Sequence, residues 1–212
     1  MNLTPIVATC DSYLDLLPNF IELYYRYSEL QPPLIVGETQ TLKNIEVFTP
    51  GKKQWGQRII KALDTVDSSY IFLALDDYYL QTPITAYIDK GIELLEADRD
   101  LSKISFVSNK HFRNYKLIPT DVDDFYMMHT SCRWLATLQM GIWRTKVLRG
   151  VLKPDYSPWD FEMKAREFLI NSKCAVLDPQ CELVFNFVRK GKQLSKGWQE
   201  FLNKENLTYI HS

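Results

Sequence analysis

The chain has 212 residues, 46% of them apolar and 24% charged, which suits one α/β domain with a sizeable core. Its 25 Lys and Arg against 26 Asp and Glu leave a net charge of -1, so no global field recruits nucleic acid, although local basic groups can still hold a phosphate. Met1-Asn2-Leu3-Thr4-Pro5 lacks a basic stretch followed by a long apolar core, which predicts no signal peptide, and apolar runs such as Tyr70 to Leu75 are too short to span a bilayer.

Taken in chain order, Pro5 to Cys10 reads as a short buried strand ending at Asp11. Asp11 or Ser12 can cap a helix carrying Leu14, Leu17, Ile21, Tyr24 and Tyr25 at helical spacing, with Pro18 forcing a late start or a kink and Pro32-Pro33 a stop. Leu34 to Gly37 and Ile45 to Phe48 are expected as the second and third strands, and Pro50-Gly51 as a turn. Trp55, Ile59, Ile60, Leu63 and Val66 form a second helical stripe. Tyr70 to Leu75 is a continuous apolar strand, as at the centre of a sheet covered on both faces, and it ends abruptly in Asp76-Asp77. A third helix follows from about Pro83 to Ala97, then a strand at Ile104 to Val107. Strands separated by helices predict a largely parallel sheet.

The second half is less regular. Tyr115 to His129 is polar and aspartate-rich, a loop with short strands. Leu135 to Trp143 reads as extended, followed by a helix over Arg144 to Gly150. Another helix opens at Ser157, with Pro158 at its first position and an acid at its third, and runs to about Asn171. Val184 to Val188 is a late strand, and the tail from Leu194 is polar with scattered aromatics. Four cysteines (Cys10, Cys132, Cys174, Cys181) without C-x-x-C spacing, and three histidines (His111, His129, His211) that do not combine with them in a zinc-ligand spacing, predict reduced thiols and no zinc site.

Four constellations can carry chemistry. Asp76-Asp77 stands at the carboxyl end of an apolar strand, where ligands bind open α/β sheets. Adjacent acids need a cation or donors to compensate them, and their oxygens suit Mg²⁺ or Mn²⁺. The plainer alternative is that one acid caps a turn and the other is solvated. At the helix start, Asp160 and Glu162 are two apart and point in widely different directions, so only one faces a given pocket. Either can be a general base, but Ser157-x-x-Asp160 also fits a capping box. Arg189, Lys190 and Lys192 around Gly191 can close over a diphosphate or form a solvated basic turn. Thr9 and Asp11 end the first strand, where the acid can accept from a nucleoside or cap a helix. Trp134, Trp143 and Trp159 can stack on a sugar or fill core, and His129 reads as a plain loop histidine.

The order of these signals resembles a known family. Trp55-Gly56-Gln57-Arg58 to Leu63, then Tyr70 to Leu75, then Asp76-Asp77-Tyr78-Tyr79-Leu80 is similar to bacterial GT-A-type glycosyltransferases of the family 2-like kind, often found with lipopolysaccharide or capsule genes. Gln139 to Arg144 and Leu148 to Glu162, with Ser-Pro-Trp-Asp-Phe-Glu, are similar to that family's second-half signature. The resemblance covers roughly residues 5 to 192. It implies a GT-A (Rossmann-like) fold over 1–212, with a nucleotide-sugar half (1–110), an acceptor and catalytic half (111–192) and a tail (193–212).

By position it implies donor contacts at Thr9, Asp11, Asp76, Asp77, Arg189, Lys190 and Lys192. A divalent cation (Mn²⁺ or Mg²⁺) would sit at Asp77 and Asp76, the base would be Asp160 or Glu162, and Gln139, Trp143 and Trp159 would meet the acceptor. The acids are adjacent and not spaced as D-x-D, so Arg and Lys groups compete with a metal for the diphosphate charge. The implied reaction is inverting transfer of a sugar from a nucleotide-diphosphate donor to a saccharide or lipid-linked acceptor, by a cytoplasmic enzyme with peripheral contact to the inner membrane face left open. A mobile lid is expected in Tyr115 to His129 or Arg189 to Ser195. Two other readings remain: a non-catalytic carbohydrate- or partner-binding module, and a sugar nucleotidyltransferase. The lack of glycine in Thr9-Cys10-Asp11-Ser12 argues against the latter.

Overall fold

The computed structural model describes residues 2–51, 53–106, 117–178, 181–189 and 193–209. One eight-stranded sheet organises them. Its strands are β1 (Leu3–Ala8), β2 (Leu34–Val36), β3 (Tyr70–Leu75), β5 (Leu101–Ser105), β6 (Leu117–Pro119), β7 (Phe125–Met128), β8 (Gly141–Arg144) and β9 (Lys173–Leu177), ordered β2-β1-β3-β8-β5-β9-β7-β6. The pairings make six strands run one way, with β8 and β7 against them. The expected mostly parallel, helix-flanked sheet is therefore present.

The apolar continuity of the strands follows from burial on both faces. In β3, Tyr70, Phe72 and Ala74 join one core while Ile71 and Leu73 join the other. The first core is closed by α1 (Leu17–Tyr27), α3 (Thr85–Ala97) and α7 (Trp198–Glu205), through residues such as Phe20, Leu23, Ile88, Leu95 and Phe201. The second is closed by α2 (Trp55–Leu63), α4 (Thr145–Val151), α5 (Pro158–Lys164) and α6 (Arg166–Leu169), through Ile59, Leu63, Leu148, Phe161 and Leu169. Pro18 acts as anticipated: a 3₁₀ segment over Asp11–Leu16 precedes it, and α1 begins with Pro18 in its first turn, where a missing N–H costs nothing.

Four expectations need correction. Leu135 to Trp143 is not extended throughout: turns and bends occupy the chain up to Met140, and the strand is Gly141–Arg144. Ile45 to Phe48 is not a strand. Its pairing is limited to single bridges, Val36 to Phe48 and Leu42 to Ile45, because the chain turns tightly there with Asn44 in a left-handed conformation (φ 70°). The strand expected at Val184 to Val188 is divided. Its first part is β10 (Val184–Asn186), antiparallel to β4 (Tyr78–Leu80), and its second is β11 (Val188–Arg189), paired with β12 (Gln193–Leu194). The tail is not merely polar: α7 buries Phe201, Leu202 and Glu205 against the first core, and its carboxyl end is tied to α1 by Arg26.

Gly56, in the first turn of α2, is required by close approach. A Cβ built there would lie 2.1 Å from the Lys153 carbonyl oxygen, and the Gly56 amide itself bonds the Tyr156 carbonyl at 2.8 Å. Gly56→Ala must push α2 away from the 153–156 turn. The expected loss is about 1–3 kcal/mol, read in a thermal melt as a Tm lower by roughly 2–12 °C. An unchanged Tm would contradict this packing.

Candidate active site

Register builds the site. Ala8 of β1 lies opposite Leu75 of β3 in a parallel pair, so Thr9 and Asp76 leave the sheet side by side. The Thr9 hydroxyl donates to Asp76 Oδ2, and the Asp76 amide donates to the Ala8 carbonyl at 3.2 Å. Both side chains are buried. Burial first, and the charge of Asp77 second, hold the Asp76 carboxyl well above its ordinary range, with the Thr9 hydrogen bond pulling the other way.

Asp77 sits in the turn between β3 and β4. Its carbonyl accepts from the Phe187 amide at 2.8 Å, while its side-chain Oδ1 is buried with no hydrogen-bond partner. Burial pushes this carboxyl up to about 7; its backbone hydrogen bond opposes the shift and the charge of Glu162 adds to it. A buried acceptor without a donor is costly unless a ligand completes it.

Glu162 projects from α5 toward these acids, and its Oε1 accepts from Thr137 Oγ1 at 3.1 Å and from the Leu138 amide at 2.8 Å. Tyr78 completes the wall. Its hydroxyl is raised by burial and by the charges of Asp77 and Glu162, and it bonds Gln139, whose Oε1 is a second buried oxygen without a partner. The geometry thus gathers Asp77, Tyr78, Gln139 and Glu162 at the carboxyl end of β3. Two open acceptor oxygens there call for hydroxyl donors or a cation.

The other sequence-derived candidates separate from this group. Asp160 forms a full capping box: its amide bonds Ser157 Oγ at 3.1 Å, its Oδ2 accepts from the Ser157 amide at 3.2 Å, and its Oδ1 pairs with Lys164 at 2.7 Å. Those partners, Lys164 first, hold its carboxyl down to about 2. Trp143 lies wholly inside the second core with its ring beside Phe161, so it offers no face to an acceptor. Trp159 is half-exposed one turn before Met163 on α5.

Asp11 does not cap a helix. Its Oδ1 accepts from the Thr39 and Gln40 amides, each at 3.0 Å, and its Oδ2 from Thr39 Oγ1 at 2.5 Å, so it ties the 38–40 loop to the end of β1. Arg189 contributes backbone to β11, opposite Gln193. Lys190 and Lys192 lie outside the described residues. His129 bonds Ser131 within its own turn. The four cysteines form no disulfide. Among the described residues no group of three or more His, Cys, Asp or Glu side chains gathers as a metal site, and no helix is long and apolar enough to cross a membrane.

Arg58 received no role from the sequence. It is buried, donates to the Thr9 carbonyl at 2.7 Å and stands 3.5 Å from Glu38 Oε1, whose Oε2 accepts from the Asp11 amide at 3.1 Å. A cation on the inward stripe of α2, among Trp55, Ile59 and Leu63, was the available signal.

The fold is of the GT-A type, with helices flanking a mainly parallel sheet. Among solved structures, the chain is similar to the mannosyltransferase PcManGT from Pyrobaculum calidifontis in complex with GDP-Man and Mn²⁺: TM-score 0.63, 11% identity, covering 90% of this chain and 58% of that one. It is also similar to S. aureus TarS 1-349 in complex with UDP-GlcNAc (TM-score 0.60, 14% identity, 96% of this chain and 65% of that one) and to TarS 1-349 alone (TM-score 0.58, 11% identity, 87% and 60%). The chain thus spans about three fifths of the length of these neighbours. No protein-family model and no curated protein matches it.

The Asp77 shift has a stability consequence. A carboxyl raised in the folded state favours folding when protonated. That contribution is full below the ordinary carboxylate range and is lost as pH rises through about 7. Without ligand, Tm should fall between about pH 4 and pH 8. Asp77→Asn should flatten that fall, melting several degrees above the parent at pH 8 and level with it at pH 4. Equal pH slopes for the two proteins would refute the burial of an unpaired acid.

Proposed function

We propose that this protein transfers a sugar from a nucleotide-diphosphate donor to an acceptor hydroxyl, with Asp77 on the donor side and Glu162 as general base. One observation carries the reading: on a GT-A-type sheet, the Asp77 carboxylate, with its Oδ1 buried and without a hydrogen-bond partner, faces a Glu162 carboxylate that is fixed by two hydrogen bonds. A base needs a fixed lone pair with one oxygen left for the substrate proton. Glu162 has its Oε1 anchored by Thr137 and Leu138, whereas Asp160 spends both oxygens on Ser157 and Lys164.

Deprotonation of an acceptor hydroxyl by Glu162, with attack opposite the departing nucleoside diphosphate, inverts the anomeric centre. Thr9, Asp11 and the Arg58–Glu38 pair at the end of β1 form the donor side, with Asp11 acting through the loop it holds. Arg189 lies two residues beyond Phe187, whose amide meets the Asp77 carbonyl, and is assigned to the same side; Lys190 and Lys192 are assigned to it by sequence alone. Gln139 offers its open oxygen to a sugar hydroxyl. The acceptor, a saccharide or lipid-linked saccharide, approaches α5 past Trp159.

A divalent cation fits Asp77 better than Asp76. Asp77 Oδ1 has no protein donor, and a bound cation would lower its raised pKa, whereas Asp76 is already engaged by Thr9. The ion would be held by Asp77 and the diphosphate oxygens, and it would neutralise the leaving charge. PcManGT, solved with GDP-Man and Mn²⁺, supports such a group on this fold.

A melting panel of UDP-, GDP-, CMP- and dTDP-sugars with Mn²⁺ should find at least one donor that raises Tm, by roughly 5–10 °C at a hundredfold excess over Kd. With that donor, Glu162→Gln should lower kcat by about 10²–10⁴ while Tm and donor affinity stay level, and Asp160→Asn should lose stability but keep turnover. The absence of any donor-induced shift, or full turnover by the Glu162 variant, would defeat the reading.

A further inference from the structure

Lys103, on β5, is fully buried. An ammonium in such a place is expensive, and a methionine or leucine of similar volume would be neutral or better for stability. Its surroundings are specific. Across the sheet it lies opposite Trp143 on β8 and Cys174 on β9, with Nζ 4.5 Å from the Trp143 ring centre. It donates to a single acceptor, the Thr137 carbonyl. Burial brings its ammonium down to about 8, while Cys174, Glu162 and Cys132, the ionisable groups that face it, act in the opposite sense.

Thr137 is the connecting piece. Its hydroxyl and the next amide, Leu138, are the two groups that hold Glu162 Oε1, and the same hydroxyl accepts from the Gln139 amide at 3.3 Å. One buried cation therefore pins the carbonyl of a turn whose other polar groups aim a carboxylate at Asp77.

We infer that Lys103 is a positioning residue for Glu162: by anchoring the Thr137 carbonyl from beneath, it locks the 137–139 turn that presents the base. The inference rests on the reading of Glu162 as the base. Lys103 touches no substrate and acts only through Thr137. The ion–ring contact with Trp143 also holds the ammonium.

Substitutions at Lys103 and Thr137, read by amide exchange, kinetics and melting, test this. Lys103→Met keeps the volume and should fold with a Tm near or above the parent. Its Leu138 amide should exchange with solvent at least tenfold faster, because the Glu162 bond loosens, and its kcat should drop about 10–100-fold with donor KM within twofold. A merely structural lysine would lower Tm and donor affinity together. Thr137→Val keeps the carbonyl that Lys103 holds but removes the hydroxyl that holds Glu162; it should reproduce both effects, and adding it to Lys103→Met should cost little more. Lys103→Leu, read by the same exchange and kcat measurements, decides the matter should Lys103→Met fail to fold.

Leu138 exchange within twofold of the parent in the folded variant overturns the proposal without reference to activity. If Glu162→Gln is inactive while Lys103→Met turns over at the parental rate, the positioning role falls and the base assignment stands. Full activity of Glu162→Gln removes both.

Discussion

The site rests on the cost of holding two neighbouring carboxylates out of water at the end of β3. The protein satisfies only one of them. Asp76 is completed by the Thr9 hydroxyl, a bond that exists because β1 and β3 run parallel in a register that ends both strands at the same level. Asp77 is left with a bare oxygen. That asymmetry divides the pair into a structural acid and a ligand-seeking acid, and it makes adjacency, in place of an alternating spacing, workable.

An aromatic cluster keeps Asp77 where it is. Tyr79 stacks on Phe187 at 4.7 Å, Phe187 meets Tyr209 at 5.3 Å and Trp198 at 6.3 Å, and Phe185 stacks on Phe201 at 4.4 Å. The Phe187 amide then bonds the Asp77 carbonyl and its carbonyl accepts from Ser195 at 2.9 Å. The chain's last described helix is thus coupled to the turn carrying the acid. Rings of this kind are worth ~0.5–1.5 kcal/mol per pair beyond the area they bury, and here they fix a backbone as well as fill space.

On the opposite side of the sheet, α5 performs two tasks with two acids two positions apart. Asp160 starts the helix and Glu162 faces the cluster. The hundred-degree step between successive helical residues separates them, so the acid that secures the cap cannot also reach the pocket. The helix is aimed by Phe161, between them, which packs against Trp55 at 5.3 Å and Trp143 at 5.7 Å. Trp143 serves the site from within the core, by directing α5 and by covering Lys103, and not by meeting a sugar.

What the sequence determined by itself is what local chemistry decides. The unbroken apolar run of Tyr70 to Leu75 specified a central strand, Pro18 specified where α1 begins, Ser157 and Pro158 specified the start of α5, and Asp76-Asp77 marked the strand end as the place to look. These follow from burial, fixed proline geometry and capping, each contained within a few residues. Tertiary structure decided everything that depends on partners distant in sequence. Asp76 is bound by a threonine 67 residues away. Asp11 is consumed by the loop at Thr39 and Gln40 rather than by a cap, and Trp143 is enclosed by a helix. Lys103, inside a strand, gave no periodic signal because its value lies in the turn above it. Ile45 to Phe48 had the composition of a strand but lacks one, since the neighbour it pairs with offers a single residue. A carboxylate's role is set by which donors reach it, and donors reach it through folding.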